Sequence, residues 1–211
     1  MMNLQKYPRT FHLPISPGIS SDDKVHKDIS IFNNKDVVVT LKMDGQNTSI
    51  YNNYLHARSL DSTNHPRKNW IKQFASEKIF RNLPDGWRIC GENLFAKHSI
   101  HYQDLKSYFY AFSIWDQNNI ALGWDESTEW FELLGLEYVP VIYRGQYDLD
   151  AITKAFQPYK HNHEGFVIRL STAIEYDQFN ISFAKYVRAN HVQPNAEHWM
   201  YQKIIPNNLM D

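Results

Sequence analysis

The hydrophobic pattern changes period several times along the chain. Asp36-Val-Val-Val-Thr-Leu41 is a β-branched run too continuous for a half-exposed strand, and it predicts a buried one. Lys42-Met-Asp-Gly45 follows directly. Thr48–Tyr51 and Tyr54–Arg58 flank Asn52-Asn53, a pair that tolerates left-handed backbone, and predict a hairpin. Between Arg67 and Phe80 the period lengthens. Trp70, Ile71, Phe74, Lys78 and the pair Ile79-Phe80 fall at near-helical spacing with charges between them. Leu83-Pro-Asp-Gly86 predicts a turn, Trp87–Glu92 a strand, Tyr108–Trp115 an aromatic strand, and Asp116–Asn119 the turn after it. Asp125–Leu134 and Leu149–Phe156 read as helices. Glu164–Arg169 and Phe183–Arg188 predict two late strands, and Glu197–Lys203 a short closing helix. Residues 8–24 carry Pro8, Pro14, Pro17 and Gly18 and read as an extended loop. Hairpin-joined strands with helices inserted between them predict an α+β domain of largely antiparallel sheets. No repeat and no linker divides the 211 residues, so one domain is expected, with a short extension after about residue 189.

Composition narrows the class. Hydrophobic residues make up 43% of the chain and aromatic residues 15%, which supports a packed core and excludes a disordered chain. The single cysteine, Cys90, excludes an intramolecular disulfide framework and a thiolate zinc site. Cys90 stands within a strand and reads as a small buried hydrophobe. His98-x-x-His101 and His161-x-His163 lack partners at zinc-site spacing. Trp115, Trp124 and Trp130 are expected in the core, and Met43 is expected to pack inward. No apolar run approaches a membrane span, and the first ten residues have no apolar leader, so a soluble cytoplasmic protein is expected.

Net charge is −1, which argues against a uniformly basic nucleic-acid binder. The distribution is uneven. From Tyr54 to Arg81 the cations Arg58, Arg67, Lys68, Lys72, Lys78 and Arg81 outnumber Asp61 and Glu77. From Asp116 to Asp150 Arg144 stands against eight acids. The basic tract reads either as a solvated face or as a surface that meets phosphate.

The candidate chemistry lies at strand ends. Lys42 closes an apolar strand, where burial or a nearby cation can favour the neutral, nucleophilic amine. Gly45 permits close backbone approach. Arg58 follows 16 residues later. Then come Glu92 at the end of a strand, Phe112 in the aromatic strand, Glu164 opening a strand and Lys185 closing one. Together these types suit a nucleotide. Cations bind and polarise phosphates, carboxylates hold a hard divalent metal or ribose hydroxyls, and an aromatic ring stacks on a base.

These residues, in this order, resemble the motifs of the covalent nucleotidyltransferases: ATP-dependent DNA and RNA ligases and mRNA capping enzymes. The resemblance is greatest to RNA ligases of the phage RNA ligase 2 type, and it runs from about residue 36 to 188. Lys42-Met-Asp-Gly45 resembles motif I, and Arg58 the arginine of motif Ia. Arg88–Phe95 resembles motif III with Glu92 its carboxylate, and Tyr110–Trp115 resembles motif IIIa with Phe112 its base-stacking ring. Glu164–Arg169 resembles motif IV. Phe183–Arg188 resembles motif V, with Lys185 its phosphate-contacting lysine and Arg188 where many members have a second lysine one residue closer. Leu41 stands where many relatives carry an acid, and Ser113 where motif IIIa often has one.

The resemblance implies a nucleotidyltransferase (ATP-grasp-like) ligase core. It also implies ATP as AMP donor, Mg²⁺ or Mn²⁺ as metal, and RNA with 5′-phosphate and 3′-hydroxyl ends, or DNA, as partner. It makes Lys42, Glu164 and Lys185 catalytic. Nucleotide binding falls to Lys42, Arg58, Glu92, Phe112, Glu164, Lys185 and Arg188, and metal binding to Glu164 and Glu92. The 26 residues after Lys185 are too few for an OB-fold, so an RNA ligase core without that domain is expected rather than a capping enzyme. Other readings are a DNA ligase, a nucleotidyltransferase with a different acceptor, and a non-catalytic nucleotide- or RNA-binding module. Lys97 and His98, just after motif III, and the loop from Arg58 to Arg67 are candidate contacts to the polynucleotide.

Overall fold

A computed structural model describes residues 4–60, 68–189 and 204–210. The chain forms two compact units. One comprises Met1–Tyr7, Asp44–Tyr138 and Glu197–Asp211, and the other Pro8–Met43 and Val139–Ala196. Among the described residues the chain passes from one to the other after Tyr7, Met43 and Tyr138. Several short crossings leave no Pro- or Gly-rich linker for a sequence pattern to reveal.

In the second unit β1 (Phe11–His12), β2 (Asp36–Lys42), β8 (Val141–Gln146), β9 (Gly165–Leu170) and β11 (Phe183–Val187) form one sheet in the order β1-β11-β9-β2-β8. The predicted buried strand is β2, whose Val37, Val38 and Val39 are fully enclosed. It is flanked on both sides by antiparallel partners, and because successive side chains point to opposite faces, the burial of all three valines means both faces are covered, which explains an apolar run without alternation. β11 pairs antiparallel with β9 and parallel with β1. Phe166 and Tyr186 face each other across that pair with rings stacked 4.8 Å apart. Helix α3 (Leu149–Phe156) begins at Asp148, whose carboxylate accepts from the Ala151 amide at 3.0 Å. It buries Ile152 and Phe156, and the Phe156 ring meets both Phe166 and Tyr186 edge-on. The unit also holds β10 (Ile174–Glu175) and α4 (Phe179–Ser182).

In the first unit β3 (Gln46–Tyr51), β4 (Leu55–Ala57), β5 (Arg88–Asn93), β6 (Phe109–Trp115) and β7 (Ile120–Ala121) lie in the order β7-β6-β5-β3-β4, antiparallel throughout. The predicted hairpin closes where the Tyr51 amide donates to the Tyr54 carbonyl at 2.7 Å. The Asp116 carboxylate accepts from the Asn118 and Ile120 amides and closes the next turn, with Asn119 at φ 64. Helices α1 (Asn69–Lys78) and α2 (Trp124–Leu133) supply Ile71, Ala75 and Phe131 to a core shared with Ile50, Ile89, Phe109 and Ile114. Arg88 is buried, with its guanidinium 4.6 Å from the Trp115 ring centre and an NH2 donating to Asn119 at 2.6 Å. Trp115, Trp124, Met43 and Cys90 are buried, and burial pushes the Cys90 thiol up. The anticipated closing helix at 197–203 and Arg67 of the basic tract lie outside the described residues.

The architecture is α+β with largely antiparallel sheets, and among the described residues no closed barrel forms. No described helix is long and apolar enough to cross a membrane.

Candidate active site

Three strand ends converge in the second unit. β2 and β9 run antiparallel with Lys42 opposite Gly165, and β9 and β11 run antiparallel with Lys185 opposite Val167. This register places Glu164, one residue before β9, beside Lys42. The Lys42 Nζ donates to Glu164 Oε2 at 2.5 Å, with the two side chains 26% and 11% exposed. Lys42 therefore keeps some access to solvent while it is carried at the end of a strand.

Lys185 lies near this pair and near Asp23, whose Oδ1 is 3.3 Å from its Nζ. Burial lowers the Lys185 pKa, and the positive charge of Lys42 lowers it further, while Asp23 and Glu164 oppose both. Arg188, just past β11, braces the same corner through backbone. Its amide donates to the Glu164 carbonyl at 3.0 Å and its Nε to the His163 carbonyl at 3.0 Å.

The close packing of β9 on β11 requires glycine at 165. A Cβ there would meet the Tyr186 carbonyl oxygen at 1.8 Å. Glu164-Gly165 is therefore a carboxylate followed by a residue with no room for a side chain.

The first unit holds the remaining candidates. The Gly45 amide donates to Glu92 Oε1 at 3.2 Å, and a Cβ on Gly45 would meet the Asn93 carbonyl at 2.6 Å. Close approach is thus the reason for glycine in Lys42-Met-Asp-Gly45. Phe112 is half-buried on β6, its ring edge-on to Tyr7 at 5.2 Å. The Arg58 amide extends the β3–β4 pairing by donating to the Asn47 carbonyl, and its Nε donates to the Tyr7 carbonyl at 3.4 Å.

Sequence reasoning assigned no role to Asp44, and the structure gives it one. It is buried, and its Oδ2 accepts from the amides of Ser99 and Ile100, both at 2.7 Å. Its own amide donates to the Tyr102 hydroxyl at 2.9 Å. Asp44 therefore anchors the turn that follows Lys97 and His98. Residues 204–210 hold the same stretch from the other side. The Lys97 amide donates to Ile205, and buried Asn207 accepts from the Tyr102 amide and donates to the Leu94 carbonyl. An aspartate in a K-x-D-G pattern was the only signal of this anchor in the sequence, and Asn207 left none. In the basic tract Lys68 is itself buried, which lowers its pKa, with Lys72 adding to the effect.

Among the described residues no group of three or more His, Cys, Asp or Glu is arranged to hold a metal. Neither histidine pair forms such a cluster. A hard divalent ion shared with substrate phosphates needs only one or two carboxylates and keeps its waters. The 11%-exposed carboxylate of Glu164, beside two lysines, fits that donor chemistry.

The fold is that of the ATP-dependent ligases. An archaeal ATP-dependent RNA ligase shares it at 20% identity and a TM-score of 0.60, over 88% of this chain and 48% of that one. A putative ATP-dependent DNA ligase from Aquifex aeolicus matches at 17% identity and a TM-score of 0.56, over 88% of this chain and 50% of that one. A mutant Naegleria gruberi RNA ligase with ATP and Mn matches at 15% identity and a TM-score of 0.51, over 76% of this chain and 52% of that one. This chain spans about half the length of these solved structures. No curated protein matches it in sequence. The RNA ligase family model matches residues 35–187, and the chain belongs to that family.

Proposed function

We propose that this protein is an ATP-dependent RNA ligase that carries AMP on Lys42. The observation that supports this reading best is the Lys42–Glu164 pair, set beside Lys185 by three strands of one sheet. Lys42 Nζ attacks the α-phosphorus of ATP. A nitrogen–phosphorus bond forms, the bond to the bridging oxygen breaks, and pyrophosphate leaves. AMP then passes from Lys42 to a 5′-phosphate end, and a 3′-hydroxyl attacks that phosphate and releases AMP. Chemistry of this kind depends on in-line placement and charge neutralisation more than on unusual side chains.

Lys42 must enter as the neutral amine, since only that form has the electron pair that attacks phosphorus. Lys185 faces the charge that builds on the α-phosphate. Glu164 would hold Mg²⁺ or Mn²⁺, whose charge would neutralise phosphate and relieve Lys42 of its carboxylate partner. The Naegleria relative, seen with ATP and Mn, is in keeping with this. Phe112 stacks on adenine, Glu92 orients the ribose, Arg58 holds phosphate, and Arg188 adds a second cation beyond β11. Basic residues of α1 and Lys97 with His98 meet the polynucleotide.

Strand joining tests the reading. The protein with ATP and a divalent metal is given 5′-phosphorylated strands, nicked and single, in RNA and in DNA. Sealing of RNA is expected, with a rate that falls as salt rises, because basic contacts to phosphate release counterions. Sealing confined to DNA contradicts the RNA assignment, and a salt-independent rate contradicts the phosphate contacts.

A further inference from the structure

We infer that Asp23 is a positioning residue for the reaction: it holds the ammonium of Lys185 in place through one carboxylate oxygen, from a segment that precedes the family's matched residues. The inference rests on the ligase reading and adds a part that nothing in residues 35–187 contains.

The segment is built onto the strand that carries Lys185. β1 runs parallel to β11 with His12 opposite Lys185, and the Leu13 amide donates to the Lys185 carbonyl at 2.7 Å. The chain then doubles back. The His12 amide donates to Lys24 at 2.8 Å and the His26 amide to His12 at 2.9 Å, which returns Asp23 to the same strand. Gly18 lies against β11 as well, where a Cβ would meet the Arg188 carbonyl at 2.6 Å. Ser16 adds a third tie. Its hydroxyl accepts from the Val187 amide at 2.9 Å and lies 2.8 Å from His12 Nδ1.

The Asp23 carboxylate cannot rotate freely. Its Oδ2 accepts from the Ser20 amide at 3.1 Å and from the Ser20 hydroxyl at 2.8 Å. That leaves Oδ1 facing Lys185 Nζ at 3.3 Å. His12 Nε2 is also 3.2 Å from Oδ1, without the geometry of a hydrogen bond. Burial pushes the Asp23 pKa up, but the two Ser20 hydrogen bonds, with the charges of Lys185 and His12, together outweigh it and hold the acid well below its usual range. Burial, and then the charge of Lys185, lower the His12 pKa, while Asp23 opposes both.

A lysine is a point charge on a flexible stem, and much of its freedom is lost whenever it is fixed. Asp23 fixes it before substrate arrives. An ammonium has three donors, so Lys185 can keep Asp23 and still donate to a phosphate. A fixed cation favours the state in which phosphate charge is largest, so its effect falls on the reaction rate more than on binding.

The test is single-turnover transfer of AMP from labelled ATP to the intact protein, across ATP concentrations, with melting temperature measured for each variant. Asp23→Asn is expected to cut the rate constant at saturating ATP by roughly 10- to 100-fold. The half-saturating ATP concentration is expected to change less than about 3-fold. Asp23→Glu, which keeps the charge, is expected to regain much of the rate, and Asp22→Asn, its exposed neighbour, to match wild type. If Asp23→Asn melts early, Asp23→Glu and wild type are compared where all are folded. An Asp23→Asn protein as fast as wild type, or faster, overturns the inference. So does a loss seen only in half-saturation, or one that Asp23→Glu does not relieve. A wild type that takes up no AMP instead defeats the ligase reading itself, which separates the two failures.

Discussion

Replacing Lys185 with alanine is expected to slow AMP transfer to the protein by about 10²- to 10³-fold while leaving the fold intact. Lys185 is the cation set on the strand next to the Lys42–Glu164 pair, and its side chain is 18% exposed, so little solvent stands in for it. A fixed charge in a partly buried site does more than the same charge in water. Alanine fits the strand, and the partners left behind, Asp23 and Glu164, both retain some access to water. Lys185→Arg is expected to recover only part of the rate. The guanidinium is larger and planar, and it does not reproduce a compact ammonium held by one oxygen. Quench-flow of the first turnover at saturating ATP reads both effects, and a Lys185→Ala protein within a few-fold of wild type would remove Lys185 from the chemistry.

Gly165→Ala is expected to have the largest effect on stability, about 3 kcal/mol or more, because it overpacks a rigid backbone contact. The added methyl would lie 1.8 Å from the Tyr186 carbonyl oxygen, with Val187 Cα at 3.1 Å. Neither is a flexible side chain that can move aside. The pair β9–β11 would have to separate, and with it the stacked Phe166 and Tyr186. Gly135→Ala is the contrasting variant. Gly135 has φ +61, but the nearest neighbour a Cβ would meet is Lys78 Nζ at 3.7 Å. Only the left-handed backbone is strained there, at a cost of roughly 1–2 kcal/mol. Urea unfolding of the two variants separates steric contact from backbone preference.

The strands that carry the candidate chemistry were legible because their cause is local. The apolar run at 36–41, the Asn52-Asn53 turn and the period change near Trp70 each express a preference of neighbouring residues. Their elements lie where the patterns put them, within a residue or two at most ends. β8 was not anticipated. Val141–Gln146 mixes apolar and polar residues, follows a proline and forms the exposed edge of its sheet, so no burial pattern marks it. β1 and β10 are two residues each, too short for any period.

The site was legible in the same uneven way. Each of Lys42, Arg58, Glu92, Phe112, Glu164 and Lys185 stands in or beside an identifiable strand. That Lys42 pairs with Glu164, 122 residues away, follows only from strand register. Asp23 is 162 residues from Lys185 and sits in a stretch that reads as a loop, so only the parallel pairing of β1 with β11 brings it into view. Asp44 and Asn207 were missed because their work is to satisfy backbone amides, and a sequence does not show which amides lack partners.

The first expected event is covalent attachment of AMP to Lys42. Its most direct measurement uses α-labelled ATP and Mg²⁺ or Mn²⁺ with freshly purified, nucleotide-stripped protein, followed by peptide mapping of the labelled chain. One labelled peptide is expected, carrying AMP on the Lys42 nitrogen, with loss of the label when pyrophosphate is added back and no label in Lys42→Ala. A stripped wild-type protein that takes no label, or a label that persists in Lys42→Ala, would contradict this expectation.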